Sequence, residues 1–236
     1  MTKTFTKKFK YKDNWRGMRI GSFDLETTGF SADKDRITEF GIIFFEDGVP
    51  VERYDKMFYP GDGIKYPEKV QKITGITPDM LDGKKTFDQR AKKIKKLLKS
   101  CDLLVAQNSG FDESFLRASF KRAGISNKYP PVLDTLTWSR FFWPRESKHN
   151  LDVIIQRLNI SPEKKLLKKL GMKVNRHRAD FDSLVTGMAI MKMSQSMPSS
   201  LEQSLWVQDY IYKYWLAMAK GGNKRFARRV PHSLPK

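Results

Sequence analysis

Asp24 and Glu26 are the first residues in this chain whose types and spacing could do chemistry. They lie in Ile20-Gly21-Ser22-Phe23-Asp24-Leu25-Glu26, a β-branched and aromatic run that reads as a short strand before Thr27-Thr28-Gly29. Residues two apart on a strand share a face, so both carboxylates project to one side. They fall at the strand's carboxyl end, where open α/β sheets place their sites. Two acids this close repel each other unless a cation or a proton lies between them. An all-oxygen donor set suits a hard divalent ion such as magnesium or manganese. An Asp-x-Glu triplet is common, and alone it reads equally well as an edge strand with solvated acids.

Distant partners decide between these readings. Asp112 follows the apolar run Leu103-Leu104-Val105-Ala106 and begins a helical pattern. His177 and Asp182 stand five residues apart in His177-Arg178-Ala179-Asp180-Phe181-Asp182, ahead of another helical pattern. Each has an ordinary structural use. Asp112 could cap its helix, and Asp182 could favour a helix N-terminus electrostatically. Asp180 reads as solvent-exposed, and neither His149 nor His232 is assigned chemistry.

The elements that must position these residues are legible from periodicity. Residues 20–26, 37–45 and 49–59 read as three consecutive strands, with Glu46-Asp47-Gly48 as the turn of an antiparallel meander. Residues 60–67 read as a loop, and Thr77 with Pro78 opens a short helix. Residues 86–99 form an amphipathic helix with Phe87, Ala91, Ile94, Leu97 and Leu98 on one face and Lys92, Lys93, Lys95, Lys96 and Lys99 on the other. Strands at 103–106 and 132–135 frame the helix carrying Asp112, Phe115, Leu116 and Phe120. Helical patterns follow at 136–142, 151–158, 161–170 and 183–193, the third opening on Ser161-Pro162 and ending at Gly171. After Pro198, the capping-box sequence Ser200-Leu201-Glu202-Gln203 starts a helix running to about Lys220, with Leu201, Leu205, Tyr212, Trp215 and Ala219 as its apolar stripe. Gly221-Gly222 stops it.

Composition sets the partner. Against 26 acids the chain carries 45 Lys and Arg, a formal net charge of +19, which points first to a polyanion such as nucleic acid. Residues 1–18 interleave Lys3, Lys7, Lys8, Lys10, Lys12 and Arg16 with Phe5, Phe9, Tyr11 and Trp15, a mixture that can hold phosphates and stack bases or simply form a tail. The single cysteine, Cys101, excludes an intrachain disulfide. No apolar run approaches a signal peptide or a membrane span, so the expectation is an intracellular, cytoplasmic and non-secreted protein.

The order Asp-x-Glu, Asp, His-x4-Asp resembles the DnaQ-like (DEDDh) family of 3′→5′ exonucleases. The resemblance rests on Phe23-Asp24-Leu25-Glu26-Thr27-Thr28-Gly29, on Asn108-Ser109-Gly110-Phe111-Asp112 and on the His177–Asp182 segment. Ile73-Thr74-Gly75-Ile76 and Leu133-Asp134-Thr135 support it. Any one motif is weak, whereas three in family order are a strong signal. The resemblance implies an α/β, RNase H-like mixed sheet, three antiparallel strands first, flanked by helices on both faces. It implies two Mg2+ ions, with Mn2+ able to substitute: Asp24 bridging both, Glu26 and Asp182 completing the first, Asp112 serving the second. His177, with an ordinary pKa near neutrality, suits the base that activates water. Leu25, Thr27, Thr28, Phe111 and Phe115 are expected to hold the terminal nucleotide, Phe115 reading equally well as a core residue, and Arg178, with Arg176 and Lys148, to meet phosphates. The expected partner is nucleic acid with a 3′ end, single-stranded DNA before RNA, with a DNA polymerase as a possible companion. The alternatives are a 3′→5′ exoribonuclease of the same family and a non-catalytic nucleic-acid-binding module with a vestigial site.

Gln107 departs from the family pattern, which often has His there. Residues 161–175 are longer and more basic than the resemblance implies, and could be a nucleic-acid clamp or a neutral insertion. The organisation expected is a basic extension over 1–18, an exonuclease domain over 19–194, and a helix with a basic tail over 195–236.

Overall fold

A computed structural model describes residues 17–198 and 200–219. The basic and aromatic residues expected at 1–16, the Gly221-Gly222 stop and the basic tail lie outside the described residues, as do the side chains of Trp215 and Ala219. In chain order the elements are β1 (Arg19–Thr27), β2 (Ile37–Glu46), β3 (Val49–Met57), α1 (Glu68–Thr74), α2 (Pro78–Leu81), α3 (Phe87–Lys99), β4 (Leu103–Ala106), α4 (Ser109–Arg122), β5 (Val132–Asp134), α5 (Thr135–Phe142), α6 (Leu151–Arg157), α7 (Lys164–Leu170), α8 (Ala179–Ser194) and α9 (Leu201–Ala219).

Side-chain alternation sorts the strands' residues onto two faces. Phe23 and Leu25 of β1 join Phe40, Ile42 and Phe44 of β2 in one apolar cluster, closed by Phe87, Ala91, Ile94 and Leu98 of α3 and Phe115, Leu116 and Phe120 of α4. Ile20, Ile43, Phe45, Leu103 and Val105 face the other way, onto residues of α5 to α9 led by Trp138, Leu184, Val185 and Ile190. The strand order is β3-β2-β1-β4-β5. β1 to β3 pair antiparallel, and β4 and β5 add in parallel. This is the expected α/β sheet, three antiparallel strands first, with helices on both faces.

Several local readings shift. α1 has no helical signal in the sequence, because only Thr74 of it is buried and no apolar face announces it. α7 starts at Lys164 with Glu163 at the cap position, leaving Ser161 and Pro162 outside the helix. α9 keeps its Ser200 cap, which accepts from the Gln203 amide at 3.1 Å. Its buried line is Ser204, Val207 and Ile211, while Tyr212 is exposed. β5 is a three-residue edge strand, and α9 covers it. Gln208 of α9 donates to the Val132 carbonyl at 2.9 Å and accepts from the Asp134 amide at 2.7 Å, closing backbone groups an edge otherwise leaves open. Among the described residues, no helix is long and apolar enough to cross a membrane.

Candidate active site

The first turn of α8 lies directly on the sheet because glycine removes the side chains that would hold it off. A Cβ on Gly41 of β2 would sit 2.3 Å from the Ala179 carbonyl carbon. A Cβ on Gly187 of α8 would sit 2.2 Å from the Phe45 ring. Ser183 uses the same closeness, donating to the Gly41 carbonyl at 3.1 Å. The approach lowers Asp182 onto the face of β1 that carries Asp24 and Glu26. One carboxylate oxygen from each of Asp24, Glu26 and Asp182 lies within 4.8 Å of the other two.

Asp112 arrives from the opposite face of the sheet, in the first turn of α4, and is 2% exposed. Asp134 sets that turn. Its carboxylate accepts from the amides of Asn108 at 2.8 Å and Ser109 at 3.3 Å, and also caps α5 through Leu136 and Thr137. Asn108 itself takes a left-handed conformation, φ 59°, which Asn tolerates better than most residues.

Burial and mutual repulsion mark these acids. Burial pushes the Asp24 carboxyl well above its usual range, and the charges of Asp112, Glu26 and Glu39 push further. Glu26 is raised to about 8, first by burial, then by Glu39 and Asp112. Asp112 is raised well above its usual range, mainly by burial, with backbone amides at its own position and at Leu25 opposing. Asp24, Glu26 and Asp112 thus favour the protonated form when no cation is near. Together with Asp182 they offer only oxygen, a donor set that hard divalent cations satisfy.

Glu39, not singled out from sequence, is the neighbour that organises the third motif. It stands opposite Glu26 in the β1–β2 register and is fully buried. Its carboxylate accepts from the Arg178 guanidinium at 3.0 Å and from the Ala179 amide at 2.9 Å. That bond caps α8 from a strand 140 residues away, so the helix begins at Ala179 rather than at 183. Arg178 is therefore committed to Glu39, which corrects its expected role in meeting phosphate. The signal for Glu39 was one acid inside the apolar strand Ile37-Thr38-Glu39-Phe40-Gly41-Ile42-Ile43.

His177 is exposed, in a left-handed turn at φ 62°, with its amide donating to Asp182 at 3.3 Å. Arg176 reaches into the acid cluster: it ion-pairs with Asp182 and donates to Asp152 of α6 at 2.7 Å. Its charge draws the pKa of Asp24 and Glu26 back down against their burial. Asp180, expected at the surface, is 7% exposed and accepts from Arg53 of β3 at 2.8 Å. Arg53 also meets Asp55, whose carboxyl is raised to about 7 by burial and by the charges of Glu39 and Asp180.

Of the residues expected to hold a nucleotide, most are engaged within the fold. Phe115 is wholly buried between α4 and the sheet, so it is core and offers no stacking face. The Leu25 side chain is likewise core, leaving its backbone beside Asp112. Thr27 donates to the Gly29 carbonyl at 2.6 Å, and Thr28 accepts from the Arg36 amide at 3.0 Å, so both fold the loop after β1. Gln107 bridges Thr135 and the His149 carbonyl. Phe111 is half-buried, and Phe30, which no sequence pattern singled out, is 91% exposed with its ring 6.3 Å from Phe111. Its position directly after the first motif was the available signal.

A family model described as Exonuclease (RNase_T) matches residues 22–189. The PolC-type DNA polymerase III of Bacillus cereus is 32% identical over 171 residues, which is 72% of this chain and 11% of that protein. The corresponding protein of Clostridium perfringens is 33% identical over 172 residues, 73% of this chain and again 11% of the relative. The chain thus spans about a tenth of the length of these relatives. Among solved structures, a 3′-exonuclease recognising the 3′ end of a histone mRNA stem-loop superposes with a TM-score of 0.61 at 20% identity, over 80% of this chain and 67% of that one. Exonuclease X in complex with 5′-overhanging duplex DNA superposes at 0.59 and 19% identity, over 78% and 96%. At these identities the structural likeness concerns the fold.

Proposed function

The chain belongs to the RNase_T exonuclease family, and from that premise we propose that it is a divalent-metal-dependent 3′→5′ exonuclease that removes nucleoside 5′-monophosphates from single-stranded DNA ends. The observation that carries this reading is the meeting of Asp24, Glu26 and Asp182 oxygens within 4.8 Å, with Asp112 entering from the other face. Asp24, Glu26, Asp182 and Asp112 would hold the divalent metal, which when bound would supply charge stabilisation at the attacking and leaving oxygens of a phosphodiester. The remaining work falls to the chain. His177, at the exposed rim and tied through its amide to Asp182, takes the proton of the attacking water. Glu39 and Arg178 hold the backbone between these two residues. Phe30 and Phe111 offer the aromatic surface on which a terminal base stacks, a contact worth about 1–3 kcal/mol per base.

The PolC-type name of the relatives supports a role beside a DNA polymerase, as in proofreading. A second reading, a 3′→5′ exoribonuclease, draws on the structural neighbour that recognises an mRNA 3′ end. Both are tested by incubating the full chain with 5′-labelled DNA and RNA oligonucleotides, single- and double-stranded, with Mg2+, Mn2+ or EDTA. A metal-dependent ladder shortening from the 3′ end of single-stranded DNA is expected. A ladder on RNA alone moves the reading to the exoribonuclease, and tight binding without turnover in Mn2+ removes the enzyme.

A further inference from the structure

Two helices of this molecule are rich in lysine, and they differ in where they lead. α3 carries Lys92, Lys93, Lys95, Lys96 and Lys99. α7 carries Lys164, Lys165, Lys168 and Lys169, and Lys173 follows it. α3 ends against the beginning of β1, where Asp102 accepts from the Arg19 amide at 3.0 Å and Ile20 pairs with Leu103. From Ile20 to Glu26 the strand spans roughly 20 Å at about 3.3 Å per residue. That is about two Debye lengths at physiological salt, where the length is roughly 8 Å, so the last turn of α3 is screened from the acid site.

α7 leads to the site itself. Leu167, Leu170 and Met172 fix it in the core beside α8. The carbonyl of Gly171, its last cap, accepts from Arg53, and the same guanidinium holds Asp180, two residues before Asp182. Six residues after Gly171 comes His177. Lys164, Lys165, Lys168, Lys169 and Lys173 are all exposed, and among the described residues none of them makes an ion pair. Positions i and i+4 stack along a helix, so 164 with 168 and 165 with 169 form two adjacent rows on the side opposite Leu167 and Leu170. Two exposed lysine rows without ion pairs among the described residues, on a helix whose end is tied through Arg53 to Asp180, suit a polyanion whose end must enter the acidic site.

We propose that the α7 lysine rows and Lys173 form a track for the phosphate backbone of a single nucleic-acid strand, several nucleotides back from the 3′ end held at the acids. This rests on the exonuclease reading and adds to it a backbone-binding surface that sets length dependence. Lysine supplies point charges to phosphates without reading bases, so the track is indifferent to sequence.

The test compares the full chain with two triple variants, Lys165→Glu/Lys168→Glu/Lys169→Glu on α7 and Lys95→Glu/Lys96→Glu/Lys99→Glu at the end of α3. Substrates are 5′-labelled oligonucleotides of 3 and 20 nucleotides. The α7 variant is expected to raise KM for the 20-mer roughly ten- to thirtyfold and to lower the log–log salt slope by about 2, at about 0.7 per lost phosphate contact. Its kcat, and its kinetics on the 3-mer, stay as in the parent protein. The α3 variant changes KM less than about twofold. A Lys→Gln triple on α7, with melting temperature checked, guards against misfolding and is expected to give the same pattern at smaller size. An unchanged KM on the 20-mer, equal effects from the two helices, or an equal loss on the 3-mer overturns the track. Should the parent protein cleave neither oligonucleotide, the exonuclease reading fails instead. Binding of the 20-mer in EDTA then tests the track alone: weaker binding by the α7 variant supports it and equal binding overturns it.

Discussion

Two clusters of acids flank the first turn of α8, and they are balanced differently. On one side Glu39, Asp55 and Asp180 are met by Arg178 and Arg53, with guanidinium contacts at 2.8 to 3.1 Å. On the other side, among the described residues, Asp24, Glu26, Asp112 and Asp182 face Arg176, which is itself divided between Asp182 and Asp152, with the charge of Arg178 reaching Glu26 as well. The first cluster has its cations built in and holds the fold. The second is short of cations, and that shortage is what the proposed metal site rests on. Both are built from the same residue types, so composition alone does not tell them apart; the arginines do.

Removing one acid from each cluster should therefore have opposite consequences. Asp24→Asn is expected to abolish the proposed cleavage, because the amide cannot serve as an anionic ligand. It should raise the melting temperature in EDTA, because a neutral amide avoids the cost of burying a carboxylate there beside other acids. An Asp24→Asn protein that still trims oligonucleotides breaks the contrast. His177→Ala, at the rim of the same cluster, should lower kcat by about 10²–10⁴ with melting unchanged, the loss typical of an acid–base group. Single-turnover rates with both proteins measure this. Glu39→Ala, in the balanced cluster, should cost about 2–4 kcal/mol of stability, because it strands the Arg178 charge and uncaps α8. Urea unfolding reads that cost, and a loss below about 0.5 kcal/mol would make Glu39 dispensable.

A further effect is expected in pH. Glu26 is raised from 4.5 to about 8, so between those values the folded, metal-free protein binds more protons than the unfolded chain. Its stability should then fall as pH rises from about 5 to about 8. Saturating Mg2+ should flatten that slope, since the ions take over from the protons. A metal-free melting temperature that climbs over the same range contradicts the assignment of repulsion to this cluster.

Much of this contrast was legible in the chain and some of it was not. The two-residue spacing in β1 announced Asp24 and Glu26 on one face, and the resemblance carried by the three motifs pointed to Asp112, His177 and Asp182. The antiparallel half of the sheet follows from the meander, whereas the pairing of β4 beside β1 comes from the structure. Glu39, by contrast, works through Arg178, 139 residues away, and no local pattern connects them. Asp180 was read as solvent-exposed because nothing near it in sequence shows that Arg53 of β3 packs there. Phe115, for which nucleotide contact and core were both open, and Phe30, which no pattern singled out, were settled by packing for a similar reason. A helix pattern says which face is apolar, but only packing says that Phe115 is sealed under the sheet and that Phe30 is left outside beside Phe111.

The claim beneath these comparisons is that the acid cluster lacks cations and takes divalent ones. Calorimetric titration of Mn2+ into the metal-free protein, near neutral pH and in buffers of differing ionisation enthalpy, measures it most directly. The expected result is saturable binding with release of protons from Glu26 and its neighbours, abolished in Asp24→Asn and retained in Lys96→Glu, a control on α3 far from the site. Saturable binding that survives Asp24→Asn unchanged, or none in the parent protein, contradicts it.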